Sequence, residues 1–200
     1  ADLVDKHGDP VQLRGVSTHG IAWFPEYVNA KAVKSLKKTF HANVYRIACY
    51  TDEYGGYCNG GDKKSLEKTI DTGVKAAVKN DMYVIIDWHV LNEHPNPLDH
   101  KSDAKKFFKK MSKKYAKYDN VIYEICNEPN CGTSWSDIRK YAKAVIPVIR
   151  KNAPDSVIIV GTPTWSQDVD KAAEHPLSYK NVMYAFHFYA GTHHADLRKK

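Results

Sequence analysis

"VIYEICNEPN", residues 121–130, decides how the chain is read. It opens as an apolar, β-branched run and closes on Asn127-Glu128-Pro129. A carboxylate and an amide at the mouth of a buried strand are costly unless they are paired or put to use. The stretch therefore raises a question about the rest of the chain: do other strands end the same way?

Five further segments share its character: "VQLRGVST" (11–18), "ANVYRIACY" (42–50), "MYVIIDWHV" (82–90), "SVIIVGTP" (156–163) and "NVMYAFHFY" (181–189). With 121–129 they make six expected strands, several of them continuous apolar runs of the kind buried on both faces. Helical spacing fills the intervals, in "NAKAVKSLKKTFH", "SLEKTIDTGVKAAVKND", "SDAKKFFKKMSKKYAKY", "WSDIRKYAKAVIPVIRKNA" and the short "QDVDKAAEHPL". Ser65 is expected to cap one helix, and Ser134 or Ser136 another. Pro147 predicts a kink or an early stop in the fourth. Strands alternating with helices predict a parallel sheet, either doubly wound or closed as a (β/α) barrel. A doubly wound nucleotide-binding domain carries a Gly-rich turn after its first strand. Here that strand runs into "STHGIAWFPEY", which weighs toward the barrel.

The 200 residues are enough for one domain with a sizeable core, and 42% apolar with 12% aromatic composition is globular rather than disordered. The formal charge of +7 raises nucleic acid as a partner. In 102–118, however, Ala104, Phe107, Phe108, Met111 and Tyr115 recur at helical steps while the lysines fill the other face. That is a solvated amphipathic helix, and no nucleic-acid partner is expected. No apolar run spans a bilayer, so no membrane partner is expected either. The N-terminus lacks a basic-then-apolar leader; a secreted, extracellular protein is expected, with any leader absent from these residues. Cys49, Cys58, Cys126 and Cys131 contain no Cys-x-x-Cys, so free thiols are expected, one disulfide stays open, and no metal site is expected.

The strand ends carry the functional signal. The first ends in Ser17, Thr18 and His19; the second carries Arg46 and finishes at Tyr50; the third ends Asp87-Trp88-His89. The fourth ends Asn127-Glu128, the fifth is followed by Thr164 and Trp165, and the sixth ends His187-Phe188-Tyr189. In a (β/α) barrel these ends converge on one face, where active sites lie. Taken singly, each residue has a plainer role: a hydrogen-bonded structural His, a salt-bridged Arg, an Asp87 that orients a neighbour. Taken together, they supply an acid/base (Glu128) and an amide donor to a substrate hydroxyl (Asn127). His89, His187, Tyr189 and above all Arg46 can hold a second carboxylate ionised. Trp23, Tyr50 and Trp165 offer flat faces for sugar rings. The set reads as glycoside hydrolysis on an extended glycan.

The chain resembles glycoside hydrolase family 5, specifically the bacterial endo-β-1,4-glucanases. The resemblance rests on "VQLRGVSTHG", "VYRIACYT", "YVIIDWHVL", "NVIYEICNEPN", "VIIVGTPTWSQDV" and "VMYAFHFYAGTH", in family order across nearly the whole chain. It implies a (β/α)8 TIM-type barrel that cleaves internal bonds of cellulose or related β-1,4-glucan by a retaining double displacement, without cofactor. It also implies Glu128 as acid/base, Arg46, His89, Asn127, His187 and Tyr189 around it, and His19, Trp23, Tyr50 and Trp165 along the sugar subsites.

A retaining glycosidase needs two carboxylates roughly 5–5.5 Å apart, and in the family the nucleophile is a Glu ending strand seven. Only about six β/α units are expected in residues 1–200, read as a single catalytic domain without strands seven and eight and so without a nucleophile. Asp87 and Glu124 are expected to lie too deep to serve instead, and Asp52 and Glu53 too far out. A second polypeptide supplying the two units would complete the chemistry. Three alternatives stay open: an inert β-glucan-binding fragment, a mannanase or xylanase relative, and a metal-dependent barrel hydrolase.

Overall fold

The computed structural model describes residues 3–5, 7–91 and 96–200. Six parallel strands lie side by side in sequential order: β1 Gly15–Ser17, β2 Val44–Tyr50, β3 Tyr83–His89, β4 Val121–Glu124, β5 Ile158–Val160 and β6 Val182–Tyr184. Helices α1 Ala30–Thr39, α2 Lys63–Lys79, α3 Lys101–Lys114 and α4 Trp135–Arg150 follow the first four. Short helices at Val169–Glu174 and Ala195–Arg198 come later. This is six-eighths of a (β/α) barrel wall. Among the described residues β1 pairs only with β2, and β6 only with β5. No described helix is long and apolar enough to cross a membrane.

The period of two along each strand sorts side chains into two layers. Tyr45, Ile47 and Cys49 of β2, Val84, Ile86 and Trp88 of β3, and Val121 and Tyr123 of β4 pack outward against the helices. Val44, Ile85 and Ile122 form a smaller inner cluster with Leu13, Tyr83, Val157 and Ile159. On the same inward faces, nearer the strand C-termini, stand Arg46, Asp87, His89 and Glu124. The helices supply matching stripes: Ala104, Phe107, Phe108, Met111 and Tyr115 of α3 are all buried, and the α3 lysines point outward, as their spacing predicts.

Helix ends depart from expectation at two points. The cap of α2 is Asp62, whose Oδ1 accepts from the Lys64 amide at 3.0 Å, not Ser65; an aspartate three residues upstream gives the helix an earlier, acidic start. Ser134 caps α4 as one of the two expected choices, in a reciprocal box with Asp137. Pro147 does not end α4, which continues to Arg150. Pro147 lies on the exposed face, so the Lys143 carbonyl left without its i+4 amide partner meets water instead.

The strands themselves are shorter than their apolar runs. β4 stops pairing at Glu124, yet the segment beyond stays tethered: Ile125 N donates to Ile159 O at 2.9 Å, Gly161 N to Cys126 O at 3.0 Å and Glu128 N to Val90 O at 2.9 Å. At the opposite end of the wall, Asn43, Asn120 and Asn181 each stand just before a strand. Each donates its side-chain amide to a carbonyl ahead of the preceding strand: Gln12, Met82 and Asp155 at 2.8, 2.7 and 2.9 Å. The N-terminal face is thus tied across by amide clamps.

Gly161 makes the close approach of β5 to the Asn127-Glu128 segment feasible. A Cβ there would stand 2.4 Å from Cys126 O and 2.7 Å from Asn127 O. Gly161→Ala is expected to destabilise the fold by about 1–3 kcal/mol through overpacking, read from urea unfolding midpoints. An unchanged midpoint would mean that the two segments separate freely.

Candidate active site

Arg46 is the hub of the inward-facing polar layer. It sits two residues before Ala48, the register partner of Asp87, which in turn pairs with Glu124. Its guanidinium therefore reaches toward the strand C-termini. Nε donates to Glu124 Oε2 at 2.7 Å, and Nη2 to Glu124 Oε1 at 2.7 Å and Asn127 Oδ1 at 2.8 Å. Nη2 also lies 2.9 Å from Asp87 Oδ2, and Nη1 donates to Ser17 Oγ at 3.1 Å. Burial works against the charge, but the Asp87 and Glu124 carboxylates more than offset it and hold Arg46 above its usual range. Burial, and then Asp87, push the Glu124 carboxyl up, against the pull of Arg46.

A second chain of bonds leads outward. Asp87 Oδ2 lies 2.6 Å from His89 Nδ1, which assigns that nitrogen the proton. His89 Nε2 then accepts from Asn127 Nδ2 at 3.2 Å. Asn127 Nδ2 also donates to Val90 O at 3.3 Å. The buried Asn127 amide is therefore occupied on both its hydrogens and its oxygen. Its partners in this arrangement are Arg46, His89 and the chain after β3.

Glu128 stands beyond this network, with 18% of its side chain exposed, and Oε1 lies 2.7 Å from His187 Nδ1. It lines a cleft of about 380 Å³ with Trp165, His187, Phe188 and Tyr189. Among the described residues Glu128 is the one carboxylate lining that cleft. Asp87 and Glu124 are turned to Arg46 below it, as their depth in the strands predicts. Tyr189 is largely exposed at the rim, with its ring 6.0 Å from that of His193.

Aromatic faces flank Glu128 on both sides of the wall. On the β1–β2 side, the Tyr50 ring stacks on His89 at 3.9 Å and meets Trp23 edge-on at 4.8 Å. His19 lies parallel to Tyr50 at 6.3 Å, with Nδ1 accepting from the Gly20 amide at 2.7 Å. On the β5–β6 side, Trp165 stands half-exposed in a turn where Thr164, Trp165 and Ser166 all have φ near +56°. Left-handed backbone costs about 1–2 kcal/mol per such residue. Four bonds oppose that cost: Trp165 N to Pro129 O (3.1 Å), Ser166 Oγ to Asn127 O (2.6 Å), Ser166 N to Thr162 O (3.1 Å) and His187 N to Ser166 O (2.8 Å).

The structure thus brings Arg46, His89 and Asn127 into one network and Glu128, His187, Tyr189 and Trp165 around one cleft. His19, Trp23 and Tyr50 stand together on the other flank. Sequence reasoning missed Ser166, which ties the Glu128 segment to His187; it allowed Asp87 to orient a neighbour but did not pair Asp87 and Glu124 with Arg46. A buried strand carrying both an Asp and an Arg neighbour was the available signal. For a metal, the described residues bring together one group, Cys58, His100 and Asp103, at the β2–α2 loop and the start of α3 rather than at Glu128; no Cys or His spacing advertises it.

A profile of the family described as Cellulase (glycosyl hydrolase family 5) matches residues 4–199. Endoglucanase A of Butyrivibrio fibrisolvens is 54% identical over 194 residues, and an endoglucanase of Clostridium saccharobutylicum 51% over 201. These cover 96% and 100% of this chain, but the match spans only 44% of either relative. Among solved structures, the cellulase Cel5C_n superposes with a TM-score of 0.95 at 50% identity, over 98% of this chain and 62% of that one. A variant of the Thermobifida fusca endoglucanase Cel5A, solved in complex with cellotetraose, superposes at 0.93 with 40% identity, over 99% and 66%.

Removing the hub tests the network. Arg46→Met leaves buried Glu124 without its ion-pair partner and Asp87 with His89 alone, which is expected to cost roughly 3–5 kcal/mol. Glu124 already binds its proton more tightly folded than its ordinary value of 4.5. Stability from such a group is present in acid and falls as pH rises through the folded pKa. Losing Arg46, which lowers that pKa, carries the decline further upward. The deficit in unfolding free energy should be larger at about pH 8 than at about pH 5. A pH-independent deficit would show that lost packing, not charge, is responsible.

Proposed function

The chain belongs to glycoside hydrolase family 5, and from that membership we propose that it is the acid/base-bearing part of an endo-β-1,4-glucanase. The observation that carries the reading is Glu128. It is a partly exposed carboxylate at the mouth of β4, hydrogen-bonded to His187 and bordered by aromatic faces on both flanks. In this reading a glucan chain lies across the strand C-termini. Its sugar faces rest on Trp165 on one side and on Trp23 and Tyr50 on the other. The cellotetraose bound by the Thermobifida relative supports that substrate class.

Glu128 protonates the leaving glycosidic oxygen in the first step and takes a proton from water in the second. His187 suits both halves. Its Nδ1 holds Glu128 Oε1 at 2.7 Å, which orients the carboxyl so that its other oxygen gives the proton to the leaving oxygen in the first step and takes one from the attacking water in the second. Arg46, held by Asp87 and Glu124, fixes Asn127, and Asn127 in turn fixes the peptide that carries Glu128. His89 is oriented by Asp87 and presents its ring face to Tyr50.

A double displacement requires a nucleophile roughly 5–5.5 Å from Glu128. The Glu128 cleft offers no second carboxylate among the described residues, and the chain spans half or less of the length of the curated relatives it matches. We therefore assign the nucleophile to residues outside these 200, on β/α units seven and eight, whether continuous with this chain or carried by a second polypeptide. Because the polymer does not cross membranes, its cleavage belongs outside the cell. The same lone carboxylate favours a second reading for the 200 residues by themselves: β-glucan binding without turnover.

Reducing-sugar release from carboxymethylcellulose separates these readings. The 200-residue chain is expected to be several powers of ten below a form completed by a relative's two missing units. In the completed form, Glu128→Gln should lower kcat by several powers of ten while cellotetraose binding changes little. Azide should partly restore Glu128→Ala on substrates with good leaving groups. Full turnover by Glu128→Gln would remove the acid/base assignment. Full turnover by the 200 residues would mean that a carboxylate within them reaches the anomeric carbon.

A further inference from the structure

The loop between β2 and α2 and the start of α3 bring together three side chains of different donor chemistry. Cys58, His100 and Asp103 offer a sulfur, an imidazole nitrogen and a carboxylate oxygen, all within 4.8 Å of one another. We propose that these three residues form a binding site for a borderline-soft divalent cation, zinc(II) by its chemistry, that pins the β2–α2 loop to α3. The site is separate from the Glu128 cleft and independent of the function proposed above.

The donor set selects the metal. Thiolate and imidazole exclude calcium and magnesium, which prefer all-oxygen shells, and suit zinc, with a carboxylate as third ligand and water as fourth. Ligand atoms around tetrahedral zinc stand roughly 3.5 Å apart. The side chains need close by only about an ångström, and all three are half-buried, so an ion can enter.

The surroundings already have the form of a metal site's outer shell. Asp52 Oδ1 holds His100 Nε2, which leaves Nδ1 for the metal, and a carboxylate behind a ligating histidine is the common supporting arrangement. The backbones are fixed as well. Cys58 N donates to Thr51 O at 2.8 Å, while His100 caps α3 and Asp103 lies in its first turn. Two carboxylates, Asp52 on His100 and Asp103 in the site itself, bring negative charge to the pocket, which offsets the unfavourable end of the α3 dipole for a cation. Lys63 Nζ, 3.4 Å from Asp103 Oδ1, is a long, half-exposed partner and a weak competitor. On binding, the Cys58 S–H proton passes to solvent and the sulfur bonds the metal. The clip would steady a loop whose Tyr54 carbonyl accepts from Trp23 Nε1 at 3.0 Å, so it would bear on one aromatic flank of the cleft.

The test uses the untagged 200-residue chain, stripped with chelator and titrated with zinc chloride. Expected results are one zinc per chain retained through gel filtration, a rise in Tm on zinc addition, and a thiolate-to-metal charge-transfer band with cobalt(II). Cys58→Ser, His100→Ala and Asp103→Asn should each weaken zinc binding at least about tenfold, and Cys58→Ser should abolish the cobalt band. Asp52→Asn should weaken binding by about 10–100-fold while the band persists. Cys131→Ser, an exposed thiol elsewhere, should change nothing. Circular dichroism of each variant checks the fold. Zinc retention no greater than that of a Cys58→Ser/His100→Ala double variant, or a cobalt band that survives Cys58→Ser, would overturn the assignment.

Discussion

One buried guanidinium organises the C-terminal face of this sheet. Arg46 is engaged by Glu124 through two bonds, by Asp87, by Asn127 and by Ser17. Four of the six strands or their extensions thereby meet at a single side chain. Desolvating such a charge is expensive unless nearly every donor is satisfied, and a planar five-donor fork can satisfy several acceptors at once where an ammonium could not. The polar layer is therefore determined as a unit. Asn127 has no freedom to turn outward, His89 is held to one tautomer, and the peptide bearing Glu128 is anchored from both sides.

That rigidity leaves the exposed groups free for chemistry. Glu128 and His187 stand above the buried carboxylates, and the two carboxylates below are committed to Arg46 rather than to substrate. The division follows from depth. An inward residue near the strand middle meets other strands, whereas one just past the strand end meets solvent and ligand. The left-handed turn at Thr164–Ser166 belongs to the same design. Its backbone strain is held by bonds to Asn127 and Pro129, and it carries Trp165 to the cleft wall.

The two rims of the wall differ from its centre. Val16 of β1 and Met183 of β6 are 48% and 40% exposed, while the middle strands are almost wholly buried. Both lie on strands with one pairing partner among the described residues, so each presents backbone groups of the kind that recruit a further strand. These rims are where two more β/α units would join, and sequential strand order sets them at opposite ends of the sheet. Completion of the wall and completion of the chemistry are thus the same event in the proposed reading.

The order of strands and helices, the buried stripe of α3 and the gathering of polar and aromatic residues at strand ends were all legible in the sequence. They depend on period and on local chain chemistry: alternation in "ANVYRIACY", three- and four-residue steps in "SDAKKFFKKMSKKYAKY", and polar residues closing "VIYEICNEPN". Which polar residue faces which was not legible. Asp87, Glu124 and Asn127 lie 41, 78 and 81 positions from Arg46, and only the register of neighbouring strands brings them to one guanidinium. The same holds for Cys58 with His100, and for Ser166 with Asn127. Local sequence determines what each segment is, because helix and strand are set by interactions a few residues apart. Tertiary structure decides what each side chain does, because a buried charge takes its role from the partners that folding sets around it.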